Sequence, residues 1–148
     1  MGIELREINM KNFHTCLDLE LREVQKRFVA SNLYSIAEAK ADGVSIPLAI
    51  YEEDTMVGFT MYWFDRDNQM GWIDRLMVDV KYQGRGYGRD AMKEVIRRLK
   101  LHKSCRLIRT SFDPDNETAW SLYQSLGFKK TGEIVEGEVV CVLQVKEE

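Results

Sequence analysis

The sequence predicts a mixed α/β chain of the α+β class, in which a mostly antiparallel sheet of seven strands is flanked by four helices. Seven short runs alternate apolar and polar residues or are rich in β-branched and aromatic residues, and four other runs place apolar residues at helical spacing. Three of the strand-like runs follow one another through short polar connections, which is typical of antiparallel pairing. With 148 residues, 45% of them hydrophobic, and no linker or repeat, the chain is predicted to form a single domain over residues 1–148.

The first part of the chain predicts one strand and two helices. Ile3 and Leu5 alternate with polar residues, which indicates a strand over residues 3–8. Apolar spacing predicts a helix over residues 12–23 and a second one over residues 31–41, closed by Asp42-Gly43. The pattern of residues 22–30 predicts neither a helix nor a strand.

Three extended segments come next, over residues 47–51, 56–64 and 72–80. The connections at residues 52–55 and 65–71 are short and polar, so these segments are predicted to form an antiparallel meander.

The second half predicts helices that alternate with strands. Met92, Val95, Ile96 and Leu99 lie at helical spacing behind a glycine-rich loop. A strand over residues 107–112 follows, then a helix that begins after residues 113–116 and ends at Gly127. Two closing strands, over residues 129–135 and 138–145, share a turn at Glu136-Gly137.

Charge and cysteine content exclude several functions. The chain has 21 basic and 24 acidic residues and a formal charge of -3, which argues against nucleic-acid binding. Cys16, Cys105 and Cys141 are far apart, without CxxC spacing, and only two histidines could join them, so neither disulfides nor a metal site is expected. Residues 1–12 lack the long apolar run of a signal peptide or membrane helix. The sequence therefore predicts a soluble, cytoplasmic protein with no membrane contact.

The glycine loop predicts an anion site. A strand that runs into Gly84, Gly86 and Gly88 and then into a helix offers free backbone N–H groups and the positive end of a helix dipole. Glycines also permit the positive φ values that turn successive N–H groups toward one point. Arg85 and Arg89 would add charge at the rim. An ordinary glycine-rich turn remains the alternative on composition alone.

The spacing narrows the choice of anion. No GxxxxGK[ST] motif is present, and a GxGxxG fingerprint would need glycine where Arg89 stands. The loop also follows an antiparallel meander in mid-chain, whereas a Rossmann fingerprint opens a parallel sheet. Neither a P-loop nor a Rossmann nucleotide site is therefore predicted.

The segment Gln83-Gly84-Arg85-Gly86-Tyr87-Gly88 matches the Q/R-x-x-G-x-G/A signature, and through it the chain resembles the GCN5-related N-acetyltransferase (GNAT) superfamily. The order of elements agrees over essentially the whole chain, and residues 116–128 resemble the second cofactor segment of that superfamily. Residues 28–32, with Ser35, Glu38 and residues 72–78, resemble the bacterial spermine/spermidine N-acetyltransferase branch.

This resemblance implies acetyl-CoA as cosubstrate, with its diphosphate on the glycine loop. The residues that it assigns to the coenzyme are Leu76, Met77, Val78, Gln83, Gly84, Arg85, Gly86, Tyr87, Gly88, Arg89, Asn116 and Tyr123. Among them, the backbone N–H groups around Met77 and Val78 would hold the thioester carbonyl. No metal is implied.

Tyr123 is the candidate general acid. It lies on the apolar stripe of its helix, and a phenol with an ordinary pKa of about 10 can protonate a thiolate whose thiol has a pKa of about 8.5. A plain core aromatic is the more common role of such a residue. The resemblance favours the acid, because Tyr123 occupies the position of the catalytic tyrosine.

Asp74 is the candidate general base. Strict alternation places it on one face of its strand with Trp72, Leu76 and Val78, and places Arg75 on the opposite face. Partial desolvation would raise the pKa of its carboxyl and make it a better base, acting directly or through a water on the incoming ammonium. An exposed or ion-paired Asp is the alternative from the residues alone, and the resemblance favours the base.

Acceptor selection is the least determined feature. A linear polyamine needs carboxylates and aromatic faces, for which Glu23, Phe28 and Trp63, together with Asp65 and Asp67, are candidates. Each also has a structural interpretation, as a helix-end charge, a core aromatic or a turn residue.

The function predicted is therefore transfer of acetyl from acetyl-CoA to a primary amine, spermidine or spermine first, by direct attack in a ternary complex. A relative acting on an amino sugar, amino acid or peptide amine, and a non-catalytic acyl-CoA sensor, are the alternatives. The resemblance also implies a homodimer.

Overall fold

The computed structural model describes residues 2–146 of the chain. Its elements are β1 (Glu4–Glu7), α1 (Phe13–Asp18), a 3₁₀ helix (Glu23–Phe28), α2 (Asn32–Asp42), β2 (Ile46–Glu52), β3 (Thr55–Asp65), β4 (Met70–Val78), a second 3₁₀ helix (Val80–Tyr82), α3 (Tyr87–Lys100), β5 (Leu107–Phe112), α4 (Glu117–Ser125), β6 (Lys129–Val135) and β7 (Glu138–Gln144). The predicted class, with seven strands and four α-helices over the described residues, is confirmed.

All seven strands belong to one sheet, in the order β1-β2-β3-β4-β5-β7-β6. Neighbouring strands pair antiparallel except β4 and β5, which are parallel. Helix α3 supplies the crossover that a parallel pair requires. Between Gly2 and Lys146, no helix combines the length and apolar character needed to cross a membrane.

The ends of α2 agree with the sequence prediction to within one residue. The Ser31 hydroxyl accepts a hydrogen bond from the Tyr34 N–H at 3.1 Å, and the chain leaves the helix at Gly43. Both residues belong to types that favour these positions, so the helix is bounded by local chemistry.

The first helix is shorter than predicted. It ends at Asp18 instead of continuing to residue 23, and Leu19 is extended. The Glu20 N–H donates to the Asp79 carboxylate at 3.0 Å, and the Glu20 carbonyl accepts from the Val80 N–H at 2.7 Å. These contacts use the backbone groups that a longer helix would need. The sequence pattern assigned no element to residues 22–30, and Glu23–Phe28 form the first 3₁₀ helix.

Strand β4 also ends earlier than predicted, at Val78 instead of residue 80. The buried Asp79 caps the second 3₁₀ helix by accepting from the Lys81 N–H at 2.9 Å. Burial would raise the pKa of Asp79, but hydrogen bonds from Glu20 and Lys81 and the Lys81 ammonium outweigh it and lower that pKa. One carboxylate thus ends β4 and holds residue 20 against the start of the glycine loop.

The alternation predicted for β4 is wrong beyond Ile73. Tyr62 of β3 pairs with Ile73, but the preceding Met61 pairs with Arg75, so Asp74 is an extra residue in a β-bulge. Leu76 and Val78 therefore pack on the α3 side of the sheet, while Arg75 points to α2. Asp74 therefore does not share a face with Leu76 and Val78, contrary to the prediction. Arg75 lies on the face opposite Leu76 and Val78, as predicted, but its charge and those of Glu38 and Asp42 act on Asp74, so Arg75 and Asp74 are not on opposite sides.

Two apolar clusters cover the two faces of the sheet. The larger one packs α3 and α4 on the sheet through buried residues such as Val95, Leu99, Ile108 and Phe128. The smaller one, which includes Cys16 and Phe59, packs the sheet against α1 and α2. All three cysteines are buried free thiols.

Candidate active site

A cleft opens where β4 and β5 separate. Their parallel pairing covers only Met70 to Trp72 on β4, and it ends just before the bulge at Asp74. Beyond that point lies a cleft of about 880 Å³, lined by the ends of both strands, the glycine loop, α4 and the β6–β7 turn. A pocket of this size suits a substrate with an extended arm.

The glycine loop forms one end of this cleft. Gly84 and Gly86 have φ values of +80° and +87°, and Gly86 caps the N-terminus of α3. The Asp90 N–H is the first to bond within the helix, to the Gly86 carbonyl at 3.0 Å, so the preceding N–H groups of the first turn lack intrahelical partners. A Cβ added at Gly84 or Gly86 would meet no protein atom within 4 Å, so the conformation and not crowding requires glycine there.

Side chains on both sides of the loop hold it in place. The Gln83 amide donates to the Val78 carbonyl at 2.8 Å and to the Gln25 side chain at 3.0 Å. The Tyr87 hydroxyl, in the first turn of α3, donates to the Glu52 carboxylate at 2.7 Å. Glu52 raises the pKa of Tyr87 through this hydrogen bond. The loop is therefore fastened to the first 3₁₀ helix, to β4 and to β2 before any ligand binds.

The two arginines of the loop point elsewhere. Arg85 donates to the Lys81 carbonyl at 3.4 Å and lies over the Tyr82 ring, and Arg89 bonds to the Ser125 hydroxyl on α4. Neither lines the cleft. Their predicted contact with the coenzyme stays a prediction.

The other residues assigned to the coenzyme all line the cleft: Leu76, Met77, Val78, Gln83, Gly84, Gly86, Tyr87, Gly88, Asn116 and Tyr123. Asn116 also caps α4 by accepting from the Ala119 N–H at 3.2 Å. A diphosphate fits this end of the cleft, because positive-φ glycines and a helix N-terminus present unpaired N–H groups without side chains in the way.

Tyr123 lies on α4 between the rings of Phe112 and Phe128, with centroid distances of 6.1 and 5.7 Å. Burial raises the pKa of its hydroxyl to about 12, and a hydrogen bond with Thr110 opposes that shift. The phenol therefore stays protonated at neutral pH and keeps a proton to donate into the cleft.

Asp74 lines the same cleft from the bulge of β4. The pKa of its carboxyl is raised to about 6, chiefly by burial. The neighbouring Arg75 charge and a hydrogen bond with Trp63 oppose this rise, whereas the negative charges of Glu38 and Asp42 add to it. The residue as a whole nevertheless remains open to solvent, which screens the shift and lets water reach the carboxylate.

Arg75 follows Asp74 but is bound by α2. Its Nε donates to the Ser35 hydroxyl at 3.0 Å, and its Nη2 donates to the Glu38 carboxylate at 2.8 Å. Helix α2 therefore holds a charged group beside the candidate base, which the sequence pattern did not indicate because it placed Arg75 on the other face.

Of the residues predicted to bind the acceptor amine, only one lines the cleft. Phe28 lines the cleft, whereas Glu23 forms an ion pair with Lys26 at 3.0 Å and does not line it. Trp63 stacks on Trp72 with centroids 6.0 Å apart, and of the two rings only Trp72 lines the cleft. Asp65 binds the Asn68 side chain within its turn. Asp67 does not line the cleft either.

Sequence reasoning missed the contribution of β5 and β7. Ser111 and Glu138 line the cleft, and the Ser111 hydroxyl donates to the Glu138 carboxylate at 2.6 Å. These residues come together because β5 pairs with β7. Phe112 lies opposite Val139, which brings the neighbouring residues Ser111 and Glu138 within reach of each other. Only a correct pairing of β5 with β7 could have indicated them.

Comparisons with known proteins identify the family and the fold. Residues 4–128 match the model of the acetyltransferase (GNAT) family. A spermine/spermidine N(1)-acetyltransferase of Bacillus subtilis is 33% identical over 98% of this chain and 100% of its own. Two solved structures that share the fold are relevant here. Spermidine N-acetyltransferase from Vibrio cholerae, in complex with CoA and spermine, superposes with a TM-score of 0.77. It is 14% identical, and the match covers 97% of this chain and 95% of that one. PaiA N-acetyltransferase from Thermoplasma acidophilum, in complex with coenzyme A, has a TM-score of 0.72, at 16% identity over 98% and 100%. The chain belongs to the GNAT family of acetyltransferases.

Proposed function

We propose that the protein transfers an acetyl group from acetyl-CoA to a primary amine, with spermidine or spermine as the first acceptors. One observation carries this proposal: a loop suited to a diphosphate, a carboxyl with a raised pKa at Asp74 and a protonated phenol at Tyr123 all line one cleft. The Bacillus subtilis relative, named for spermine and spermidine, supports the choice of acceptor.

Asp74 removes a proton from the acceptor. An alkylammonium cannot attack a carbonyl carbon, so the base must convert it to the free amine. A carboxylate with a pKa near 6 is ionised at neutral pH, yet it has a higher proton affinity than an ordinary Asp. Because solvent reaches Asp74, a water can carry the proton from a more distant ammonium.

The free edge of β4 supports the acetyl carbonyl. Bound acetyl-CoA supplies an acetyl thioester, whose carbonyl oxygen gains negative charge as the amine attacks. The Asp79 N–H donates to the Val57 carbonyl on β3, so by strand alternation the Met77 N–H also faces β3 and the Val78 N–H faces the cleft. Val78 is thus favoured over Met77 as the donor to that oxygen.

Tyr123 completes the reaction by giving its hydroxyl proton to the departing thiolate. The amine nitrogen forms a bond to the carbonyl carbon, the carbon–sulfur bond breaks, and the nitrogen releases its remaining excess proton to solvent, because Asp74 already holds the first one. The products are an N-acetylated amine and a free thiol, with charge and protons balanced. The phenol then recovers a proton from water.

Release of free thiol tests this function directly. Purified protein is mixed with acetyl-CoA and a panel of amines: spermidine, spermine, an aminoglycoside, free lysine and a lysine peptide. We expect turnover with spermidine and spermine well above that with the others. Turnover on an amino sugar or peptide instead would move the assignment to another acceptor. Tight acetyl-CoA binding without turnover on any amine would identify a sensor.

Location and assembly are further parts of this proposal. Three buried, unpaired thiols are in keeping with a reducing compartment, which supports a cytoplasmic protein. The homodimer that the family resemblance implies is tested by light scattering of the purified chain, in which a monomer mass would exclude it.

A further inference from the structure

Arg75 lies next to the proposed base in the chain, yet its guanidinium is directed away from it. In residues 2–146, its hydrogen bonds go to the Ser35 hydroxyl at 3.0 Å, to the Glu38 carboxylate at 2.8 Å and to the main-chain carbonyl of Asp74 at 3.1 Å. None of them goes to the Asp74 carboxylate. Charge-assisted pairing with a carboxylate is among the strongest hydrogen bonds of an arginine, and here Glu38 and not Asp74 supplies the carboxylate.

Helix α2 is built to hold this guanidinium. Ser35 and Glu38 are three residues apart and so lie on the same side of the helix. The fully buried Ser35 hydroxyl donates to the Ser31 carbonyl at 3.0 Å, which leaves its lone pairs to accept from Arg75. The Arg75 side chain is only 19% exposed, so its charge is poorly screened and needs the Glu38 partner.

We propose that Glu38 is a positioning residue for acetyl transfer, which holds Arg75 against α2 and offsets its charge so that Asp74 stays a competent base. The inference rests on the proposed function, in which Asp74 takes the proton of the acceptor. Ser35 assists by fixing the direction of the guanidinium.

The balance of charges around Asp74 supports this role. Burial raises the pKa of its carboxyl; against that, Arg75 lowers it, as does the hydrogen bond with Trp63. Glu38 and Asp42 raise it. Without the Glu38 charge, repulsion of the Asp74 carboxylate falls and Arg75 can turn toward it. Both effects lower the pKa of Asp74 and weaken it as a base.

The Glu38→Gln variant tests the proposal through a pH profile. The wild-type kcat/KM should fall below about pH 6, where Asp74 becomes protonated. In the variant, we expect this decline of kcat/KM in acid, the acid limb of the profile, to move to lower pH by about one unit. At pH values above the limb, kcat/KM should be several-fold lower than in the wild type, because the base is weaker. The double variant Glu38→Gln/Arg75→Gln removes both charges and should bring the limb back toward its wild-type position.

Asp54→Asn is the matched control. It also removes one negative charge, from a fully exposed side chain in the turn between β2 and β3. Its acid limb should coincide with that of the wild type. A folded Glu38→Gln variant with an unmoved acid limb would overturn the proposal, since a merely structural role for Glu38 would lower activity at all pH values alike.

A titration without substrates separates this inference from the proposed function. The Asp74 carboxyl carbon is followed by NMR against pH in the free protein. If its midpoint falls in Glu38→Gln while Asp74→Asn keeps full activity, the charge balance around Asp74 is right but another group is the base, and the role of Glu38 in acetyl transfer fails with the proposed function. If Asp74→Asn is inactive and the midpoint does not move, the inference alone fails. If Glu38→Gln does not fold, the Arg75→Gln variant is titrated instead. Its Asp74 carboxyl should then titrate at a higher pH than in the wild type, and an unchanged midpoint would refute the proposal.

Discussion

The two ends of the cleft are built by different means. The end proposed for the diphosphate is one contiguous segment, the glycine loop of residues 83–88, whose main chain offers unpaired N–H groups. The end that holds the proposed base draws side chains from separate parts of the chain, including Phe28, Asp74, Ser111 and Glu138. Main-chain binding depends on backbone conformation and tolerates varied side chains, whereas the acceptor end depends on the identity and charge of each side chain. Variants at the two ends should therefore fail in different ways.

Loss of the base should have the largest effect. In Asp74→Asn we expect kcat/KM for spermidine to fall by about 10²- to 10⁴-fold, because a general base contributes on that scale. The affinity for acetyl-CoA, measured by calorimetry, should be unchanged, because Asp74 belongs to the other end of the cleft. Activity near that of the wild type would remove Asp74 from the mechanism.

A change in the glycine loop should instead weaken coenzyme binding. In Gly86→Ala the residue must keep a φ of +87° or let the loop rearrange, at about 1–2 kcal/mol, or roughly a 5- to 30-fold loss of acetyl-CoA affinity by calorimetry. Gly43→Ala is a matched control, since Gly43 also has a positive φ, of +72°, and an equally open surrounding. It should lower stability without altering the binding constant. Equal losses of affinity in both variants would contradict a coenzyme role for the loop.

The Asp79 carboxylate supports the coenzyme end from within. Asp79→Asn replaces an acceptor of two backbone N–H groups with a side chain that has only one acceptor oxygen, so we expect a loss of about 1–3 kcal/mol in the free energy of unfolding at neutral pH.

The pH dependence of this loss has a definite sign. The folded state lowers the pKa of Asp79 below its ordinary 3.8, so its stabilisation is complete above that value and disappears as the pH falls through the folded pKa. Urea unfolding at a series of pH values should show the wild-type and Asp79→Asn curves converging in acid. A gap that stays constant with pH would mean that the charge of Asp79 does not matter.

The smallest effect is expected at a surface ion-pair cluster that joins the first 3₁₀ helix to the segment between β5 and α4. Arg27 pairs with Asp113 at 3.4 Å and with Asp115 at 3.1 Å, but its side chain is 57% exposed. Arg27→Gln should change the free energy of unfolding by less than about 1 kcal/mol, with a difference that shrinks further in salt. Thermal melts at low and high ionic strength measure it. A larger change, insensitive to salt, would show that the bridge closes the cleft mechanically.

The same contrast explains what the sequence could predict. The start of α3 behind the glycine loop, the ends of α2 and the strand over residues 107–112 depend on neighbouring residues, and the structure confirms all three elements. The early end of α1 depends on Asp79, which lies 59 residues beyond Glu20. No local pattern contains that contact.

The bulge at Asp74 had a similar effect on the site. A period of two assigned every side chain of β4 beyond Ile73 to a face, and one extra residue reversed that assignment. Glu138 could not be found because its place in the cleft follows from the pairing of β7 with β5. Residue types suggested a base and an acid, but long-range pairing decides what surrounds them.

The buried cysteines have a practical consequence. Burial raises the pKa of the Cys16 thiol to about 11 and that of Cys141 to about 12, and it also raises that of Cys105. Disulfide-exchange reagents react with thiolates, so the native chain should stay nearly silent toward them at mildly alkaline pH. A colour change in such an experiment reports released coenzyme, and the later labelling of Cys16, Cys105 and Cys141 in denaturant reports the opening of the fold.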